Sequence, residues 1–397
     1  MDLRVLIVGR EYPPFIVGGV ATHTYNLVNS LEQLGVDVDV ISFGNSGKSN
    51  GKVTFIDPKS SMISREGQPI SRDLLIPYDI ASFTRKIIGI IEGNKYDVVH
   101  IQEPYVGGLI KAQNKVTTIH DTSYSEVASI LAGSPHFRNI ERMVFYTSFG
   151  FLMEYASLAT SKVVITPALH VRNELARKYR LGVSKLVTIM NGVDPRNMYS
   201  PISKGKAKEM LGIKDDRILL FTSCQHIARK KLDILLEALS LLKGEYLEKI
   251  EVRIGGDGPL RPNLINLAIR LKIDDKVKFL GWLTRDELEL HYRASDIFIM
   301  SSDYEAGPIS MLEAMVAETS VISSNISGFP SLARNGEDAL LVPPRDPKSL
   351  SKAIENLISD QDLRTKLSQN GRRFANRFTW DKVAEMTIKI YESVVGN

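Results

Sequence analysis

Short runs rich in valine and isoleucine recur along this chain, each followed by a stretch with helical periodicity. "RVLIVG" precedes "THTYNLVNSLEQLG", and then come "DVDVIS", "DVVHIQ", "KVTTIH", "SKVVITP" and "LVTIM". Runs that are apolar at nearly every position fit strands buried on both faces, and such strands are parallel with crossover helices. A second series follows "NGVDPRNMYSP": "RILLFTS", "KIEVRIGG", "KVKFLG", "DIFIMSS" and "TSVISSN". Its helical partners include "LDILLEALSLL", "LRPNLINLAIRL", "RDELELHYRAS" and "PISMLEAMVA". The chain's 397 residues exceed what one core serves, roughly 250–300 residues. The reading is therefore α/β, with a domain over 1–190, a second over 191–375, and a linker in the turn-rich Asn191–Pro201. The tail over 376–397 predicts a terminal helix. Val383, Met386, Ile388, Ile390 and Val394 miss a single stripe, so it is expected to bury more than one face, crossing between domains and packing back towards the first.

Composition removes several classes. A 43% hydrophobic, 24% charged chain is globular, and a net charge of +4 is too small to argue for nucleic acid. The single cysteine, Cys224, forms no internal disulfide and fits a reducing, cytoplasmic setting. "MDLRVLIVG" is no signal peptide, and no run approaches the roughly 20 apolar residues of a membrane span. The segment from Arg172 to Lys185 holds Arg172, Arg177, Lys178, Arg180 and Lys185 against Glu174 alone. It reads either as a solvated helix face near a helix C-terminus or as a peripheral contact for anionic lipid or a phosphorylated acceptor.

Tandem parallel sheets imply a cleft between the carboxyl ends of their strands, where ligands of such folds bind. Gly18 and Gly19 stand before a helix that begins near Val20, where close backbone approach and a helix N-terminus suit an anion. A plain turn is the alternative. His120 ends "KVTTIH", and His100 and Glu103 in "VVHIQEP" end another strand; each can face a ligand or cap a turn. Lys230 and Lys231 precede a helix starting near Leu232, where cations oppose the macrodipole and need another partner, a phosphate or water. "IGGDGP" adds Gly255, Gly256 and Gly258 after a strand, a pattern that alone identifies no nucleotide.

"SSDYEAGPISMLEAM" (301–315) joins a strand to a helix. Pro308 suits the first helical position, and Glu305, before it, is expected to project to the cleft mouth. Glu313 lies inside the helix. Two kinds of partner satisfy it: a pair of adjacent hydroxyls such as a ribose diol, or a backbone group or arginine. Asp37-Val38-Asp39 imitates a metal-binding pair, but its strict alternation with valine makes it a strand with one polar face. No other cluster has metal-ligand spacing.

Glu305 and Glu313, with seven residues between them in an E-x7-E pattern, stand with "NGVD" (191–194), "GDGP" (256–259), "GWL" (281–283) and "EAM" (313–315). In this order they resemble the GT-B glycosyltransferases, family 4 in particular, over almost the whole chain. "EYPP…GGVATH" is similar to the glycogen-synthase-like branch. The resemblance implies two Rossmann-like domains, the first on the acceptor side and the second on the donor side. It implies a retaining hexosyltransferase using a nucleotide diphosphate sugar, with no metal and no cofactor. The acceptor would be a carbohydrate, a lipid-linked sugar or a small molecule. Glu313 would hold the ribose hydroxyls and Glu305 would face the donor sugar. Lys230 would neutralise the diphosphate, helped by amides around Gly307 and Ile309, and His120 would contact the sugar across the cleft. The Gly18-Gly19 loop would border diphosphate and acceptor.

The chain departs from the family pattern in several places. Gln225 stands where the family has arginine and Lys231 where it has glycine, so Gln225 becomes a donor contact and Lys231 shares the phosphate role. Pro308 removes an amide, Glu318 and Ser320 replace a glycine and a proline, and Ser327-Gly328-Phe329-Pro330-Ser331 lacks a glutamate. The rival readings are a nucleotide-sugar 2-epimerase of the same architecture and a weakened sugar-nucleotide-binding subunit. An NAD-linked dehydrogenase is disfavoured because "VGREYPPFIVGG" is not G-x-G-x-x-G.

Overall fold

The computed structural model describes residues 3–15, 18–57, 76–131, 137–196, 202–214, 216–328 and 330–396. It divides the chain into two compact units, Met1–Gly192 with Trp380–Asn397, and Val193–Thr379. The divisions fall at 192/193 and 379/380, where the sequence reading puts them at 190/191 and 375/376. Phe329 of the departing 327–331 motif and part of the expected linker, 197–201, lie outside the described residues.

The first unit is built on seven strands: β1 (Arg4–Val8), β2 (Asp37–Phe43), β3 (Val53–Ile56), β4 (Val98–Ile101), β5 (Lys115–Thr118), β6 (Val163–Thr166) and β7 (Leu186–Thr188). Their order is β3-β2-β1-β4-β5-β6-β7, and each pair is parallel. β4 and β5 are buried at every position, and in β5 the polar side chains of Lys115, Thr117 and Thr118 are hydrogen-bonded to Gly107 O, Ser161 and His100. Leu6, Val8, Ile41, Phe43, Phe83, Val99 and Ile101 form a core on one side of the sheet.

The second unit has β8 (Ile218–Ser223), β9 (Ile250–Gly255), β10 (Val277–Gly281), β11 (Ile297–Met300), β12 (Ser320–Ser324) and β13 (Leu340–Val342). Their order is β10-β9-β8-β11-β12-β13, again parallel throughout. Both orders reverse direction once, between β1 and β4 and between β8 and β11. Such switch points open a crevice at the strands' carboxyl ends. β3 and β13, with four and three residues, are the two strands that the sequence reading does not include.

The terminal helix Trp380–Val395 corrects one expectation. Its buried residues are Trp380, Val383, Ala384, Thr387, Tyr391 and Val394, which is one continuous stripe. Met386 is exposed. The stripe is carried by aromatic, small and hydroxyl residues, so counting aliphatic side chains alone hides it. The helix packs within the first unit, where Ser30 Oγ donates to Asp381 at 3.1 Å.

Candidate active site

In the second unit the switch point decides which loops meet. β8 pairs with β11, so the segments after them lie together. Asp303 N–H donates to Arg229 O at 2.9 Å and Ser301 Oγ to Lys230 O at 3.0 Å, joining the two loops. Lys230 Nζ then lies 2.6 Å from Glu305 Oε1, which also accepts from Ser302 Oγ at 2.6 Å. Glu305 is buried, not projecting; its two donors make that burial tolerable. Lys231 Nζ points to Asp303 at 3.7 Å, and Arg345 holds the same carboxylate at 2.8 Å.

The helix after Glu305 runs Ile309–Val316, with Pro308 as its flanking residue at ψ 103°. Pro308 is therefore outside the helix and not its first residue. Its missing N–H removes nothing from the helical set, since the amides of Ile309 and Ser310 are the first, and these have no intrahelical acceptor. Met311 N–H reaches Pro308 O at 3.3 Å. Gly307 sits in the turn just before.

Glu313, buried deeper on this helix, accepts from Arg285 Nη1. Arg285 also donates from Nε to Glu289 at 2.9 Å. Burial works against the guanidinium's charge, yet Glu313 and Glu289 hold its pKa above the ordinary value. A carboxylate offers about four lone-pair sites, so this bond leaves acceptors for a diol. Arg285 escaped the sequence reading, although the signal was there. Thr284 and Glu287 form a capping box, which fixes Arg285 as the first helical residue, where a cation needs a partner.

Gln225 lies on the loop after β8, between Cys224 and His226. The "GDGP" loop packs against this backbone. A Cβ on Gly256 would meet Cys224 O at 2.0 Å, and one on Gly258 would meet His226 O at 2.7 Å, both at positive φ. Those glycines serve backbone packing, whatever else the loop does.

In the first unit, Gly18 flanks the helix Gly19–Gln33 in extended conformation, and a Cβ on Gly19 would meet nothing within 4 Å. The fold itself does not demand glycine at 19. One turn on, His23 stacks edge-on against His120 with centroids 4.6 Å apart. His23 Nδ1 and Asn191 Oδ1 of "NGVD" lie 2.9 Å apart. His120 sits beyond β5 and within reach of Gln102, which follows β4. Burial, with His100 nearby, pushes the His120 pKa down to about 3, so the ring is neutral. His100 is driven down to about 3 in the same way, by burial and then His23.

Elsewhere, Asp39 of the metal-like pair accepts from Arg4 Nη2 at 3.0 Å and from Tyr96 at 2.9 Å. In the basic segment, Arg172 donates to Leu186 O, Lys185 to Ala159 O, and Lys178 pairs with Glu174. Among the described residues no helix is long and apolar enough to cross a membrane.

Two family descriptions match in tandem: "Glycosyltransferase Family 4" over residues 17–197 and "Glycosyl transferases group 1" over residues 203–374. The chain is a family 4 glycosyltransferase. It is 26% identical to an uncharacterized glycosyltransferase of Methanocaldococcus jannaschii, covering 98% of both chains. Sucrose-phosphate synthase from Thermosynechococcus elongatus superposes with a TM-score of 0.82 at 19% identity, covering 99% of each chain. Anabaena HepE in complex with UDP-glucose gives 0.75 at 17% identity, covering 100% of each. These neighbours share the GT-B fold. In this glycosyltransferase the two departures from family glycines occupy left-handed backbone, Lys231 at φ 49° and Glu318 at φ 59°. Glycine adopts that conformation without strain.

Proposed function

We propose that this glycosyltransferase is a retaining, metal-independent hexosyltransferase that takes its sugar from a nucleotide diphosphate donor held mainly by the second unit. The acceptor is a carbohydrate, a lipid-linked sugar or a small molecule. The observation that carries the reading is the Lys230–Glu305 contact of 2.6 Å on the loop that leads into the helix opening at Ile309. Departure of a nucleoside diphosphate develops negative charge on phosphate oxygen. A lysine and open helix amides stabilise it where it forms. When phosphate takes Lys230, Glu305 is left beside the sugar, where a carboxylate favours an oxocarbenium-like centre. Glu313 holds the ribose hydroxyls, with Gln225 and Lys231 as further donor contacts. His120 meets a hydroxyl of the transferred sugar, and the Gly18-Gly19 backbone borders diphosphate and acceptor. The Arg172–Lys185 segment is the place for peripheral contact with an anionic surface, through cations not already bonded within the unit.

Calorimetric titration with UDP-, GDP- and ADP-sugars in EDTA tests donor class and metal need together. Binding of one donor class is expected, and no binding of any would sink the reading. The anomer of the product, read by NMR, tests retention. If Glu305→Gln kept full turnover, Glu305 would lose its place beside the sugar. Flotation with anionic vesicles tests the basic segment.

A further inference from the structure

Gln102 is fully buried among the histidines of the first unit, and both ends of its side-chain amide are used on them. Its Oε1 lies 3.4 Å from His120 Nε2, and its Nε2 lies 3.4 Å from His100 Nε2. His100 Nε2 also lies 2.8 Å from Thr118 Oγ1, and His100 Nδ1 lies 2.6 Å from the hydroxyl of Tyr391 on the terminal helix. His100, Gln102 and Tyr391 have no exposed surface. A buried amide costs free energy unless bonded, and an apolar side chain would fill the same space without that cost. What the amide adds is direction. Its carbonyl end can only accept, so His120 Nε2 must carry the hydrogen. Its NH2 end can only donate, so His100 Nε2 keeps its lone pair and Nδ1 donates to Tyr391. Turning the amide over would reverse both rings together.

We infer that Gln102 is a positioning residue, anchored through His100 to Tyr391, that fixes His120 with hydrogen on Nε2 and leaves Nδ1 as an acceptor for a sugar hydroxyl. The inference rests on the proposed role of His120 as a sugar contact. It makes the terminal helix, some 290 residues away in sequence, part of the site's hydrogen-bond chain.

Long-range proton–nitrogen NMR of the full chain labelled at histidine nitrogen, with His120→Asn for assignment, reads the tautomer directly. His120 is expected as the Nε2-protonated form. In Gln102→Leu the form should become mixed. The kcat/KM for the accepted sugar donor, UDP-glucose or ADP-glucose, should fall about tenfold, the worth of one hydrogen bond. The Kd for the matching free diphosphate, UDP or ADP, should stay unchanged. Wild-type His120 with hydrogen on Nδ1 overturns the inference, as does unchanged kcat/KM in the variant. An equal loss of diphosphate affinity also overturns it, since that is structural damage. Should Gln102→Leu fail to fold, Tyr391→Phe gives the second reading, with the tautomer loosened and the same split between sugar and diphosphate. A wild-type chain that shows the expected tautomer but binds no sugar nucleotide would fail on function, not on the hydrogen-bond chain, and the positioning role would fall with it.

Discussion

The carboxyl ends of the two sheets carry polar groups of opposite kinds. In the first unit His23, His100, His120, Gln102 and Tyr391 bond as neutral groups, and the histidines are pushed far below their usual pKa by burial. In the second unit the groups are ion pairs: Lys230 with Glu305, Lys231 with Asp303 and Arg285 with Glu313. His100 and Gln102 have no solvent contact, whereas each ion pair keeps some: Lys230 and Lys231 are 14% exposed and Arg285 41%, against carboxylates that are nearly buried. Full burial makes charge costly, and partial exposure lets an ion pair open towards a charged ligand. The first unit has its own ionic group, Arg10 between Glu11 and Glu103, after β1 and β4. Its excess of carboxylate suits hydroxyls better than phosphate. The contrast supports the proposed division, in which the second unit takes the diphosphate and the first recognises hydroxyls.

Removing the second unit's cation should break this division most severely. Lys230→Ala is expected to lower transfer about 10²–10³-fold, the usual loss for one group stabilising developing charge. It also strands Glu305 in a buried site, which destabilises the second unit. Lys230→Ala with Glu305→Gln should recover the stability and none of the activity. Recovery of activity would place the leaving-group charge elsewhere.

A smaller effect tests the neutral character of the first unit. Glu154 accepts from Ser123 N and Oγ, at 3.1 Å each, on the turn after His120, and from the Tyr179 hydroxyl. Burial nevertheless raises its pKa from 4.5 to about 7. A carboxyl raised on folding contributes stability that is complete below about 4.5 and is lost as pH rises through about 7. The depressed histidines act in the opposite sense, losing stability as pH falls, so the wild-type curve alone mixes the two. The difference between wild type and Glu154→Gln cancels the histidines. Wild type should lose ~3 kcal/mol relative to the variant between pH 4.5 and 8. Urea unfolding followed through buried Trp380 measures it, with Trp282 replaced by phenylalanine. A flat difference would mean Glu154 ionises as in water.

The chain's pattern discloses the two parallel sheets because their strands are buried on both faces and therefore read as apolar runs. It also discloses Lys230, Glu305 and Glu313, since a cation before a helix and a carboxylate among apolar residues both need explaining. Arg285, Asp303 and Gln102 were not singled out. Each acts through a partner distant in sequence, 28 residues away for Arg285 and 18 for Gln102, and only the strand order brings the pairs together. Pro308 was misplaced by one residue because its missing N–H is equally harmless in the flanking position. The two left-handed positions were visible only as missing glycines, without the backbone angle that explains them.

Those two positions give the smallest and sharpest test of the comparison between site and scaffold. Glu318 follows the Ile309–Val316 helix in a closing turn, with Glu318 N–H bonded to Met315 O and Thr319 N–H to Ala314 O. That turn favours glycine. Its side chain is 45% exposed and pairs with Arg372, a contact worth at most about 1 kcal/mol. Left-handed backbone costs an L-residue about 1–2 kcal/mol, so Glu318→Gly should stabilise the second unit by about 1 kcal/mol and leave transfer unchanged. Lys231 has the same backbone, but its side chain is only 14% exposed and serves Asp303 in the loop that carries Glu305. Lys231→Gly relieves the same strain and removes a cation from a buried carboxylate, so its net gain should be near zero. Urea titrations of the second unit through Trp282, in a Trp380→Phe background, resolve the two. An equal gain at both positions would show that Lys231 contributes nothing to the loop, and any donor effect of Lys231→Gly would then belong to the phosphate alone.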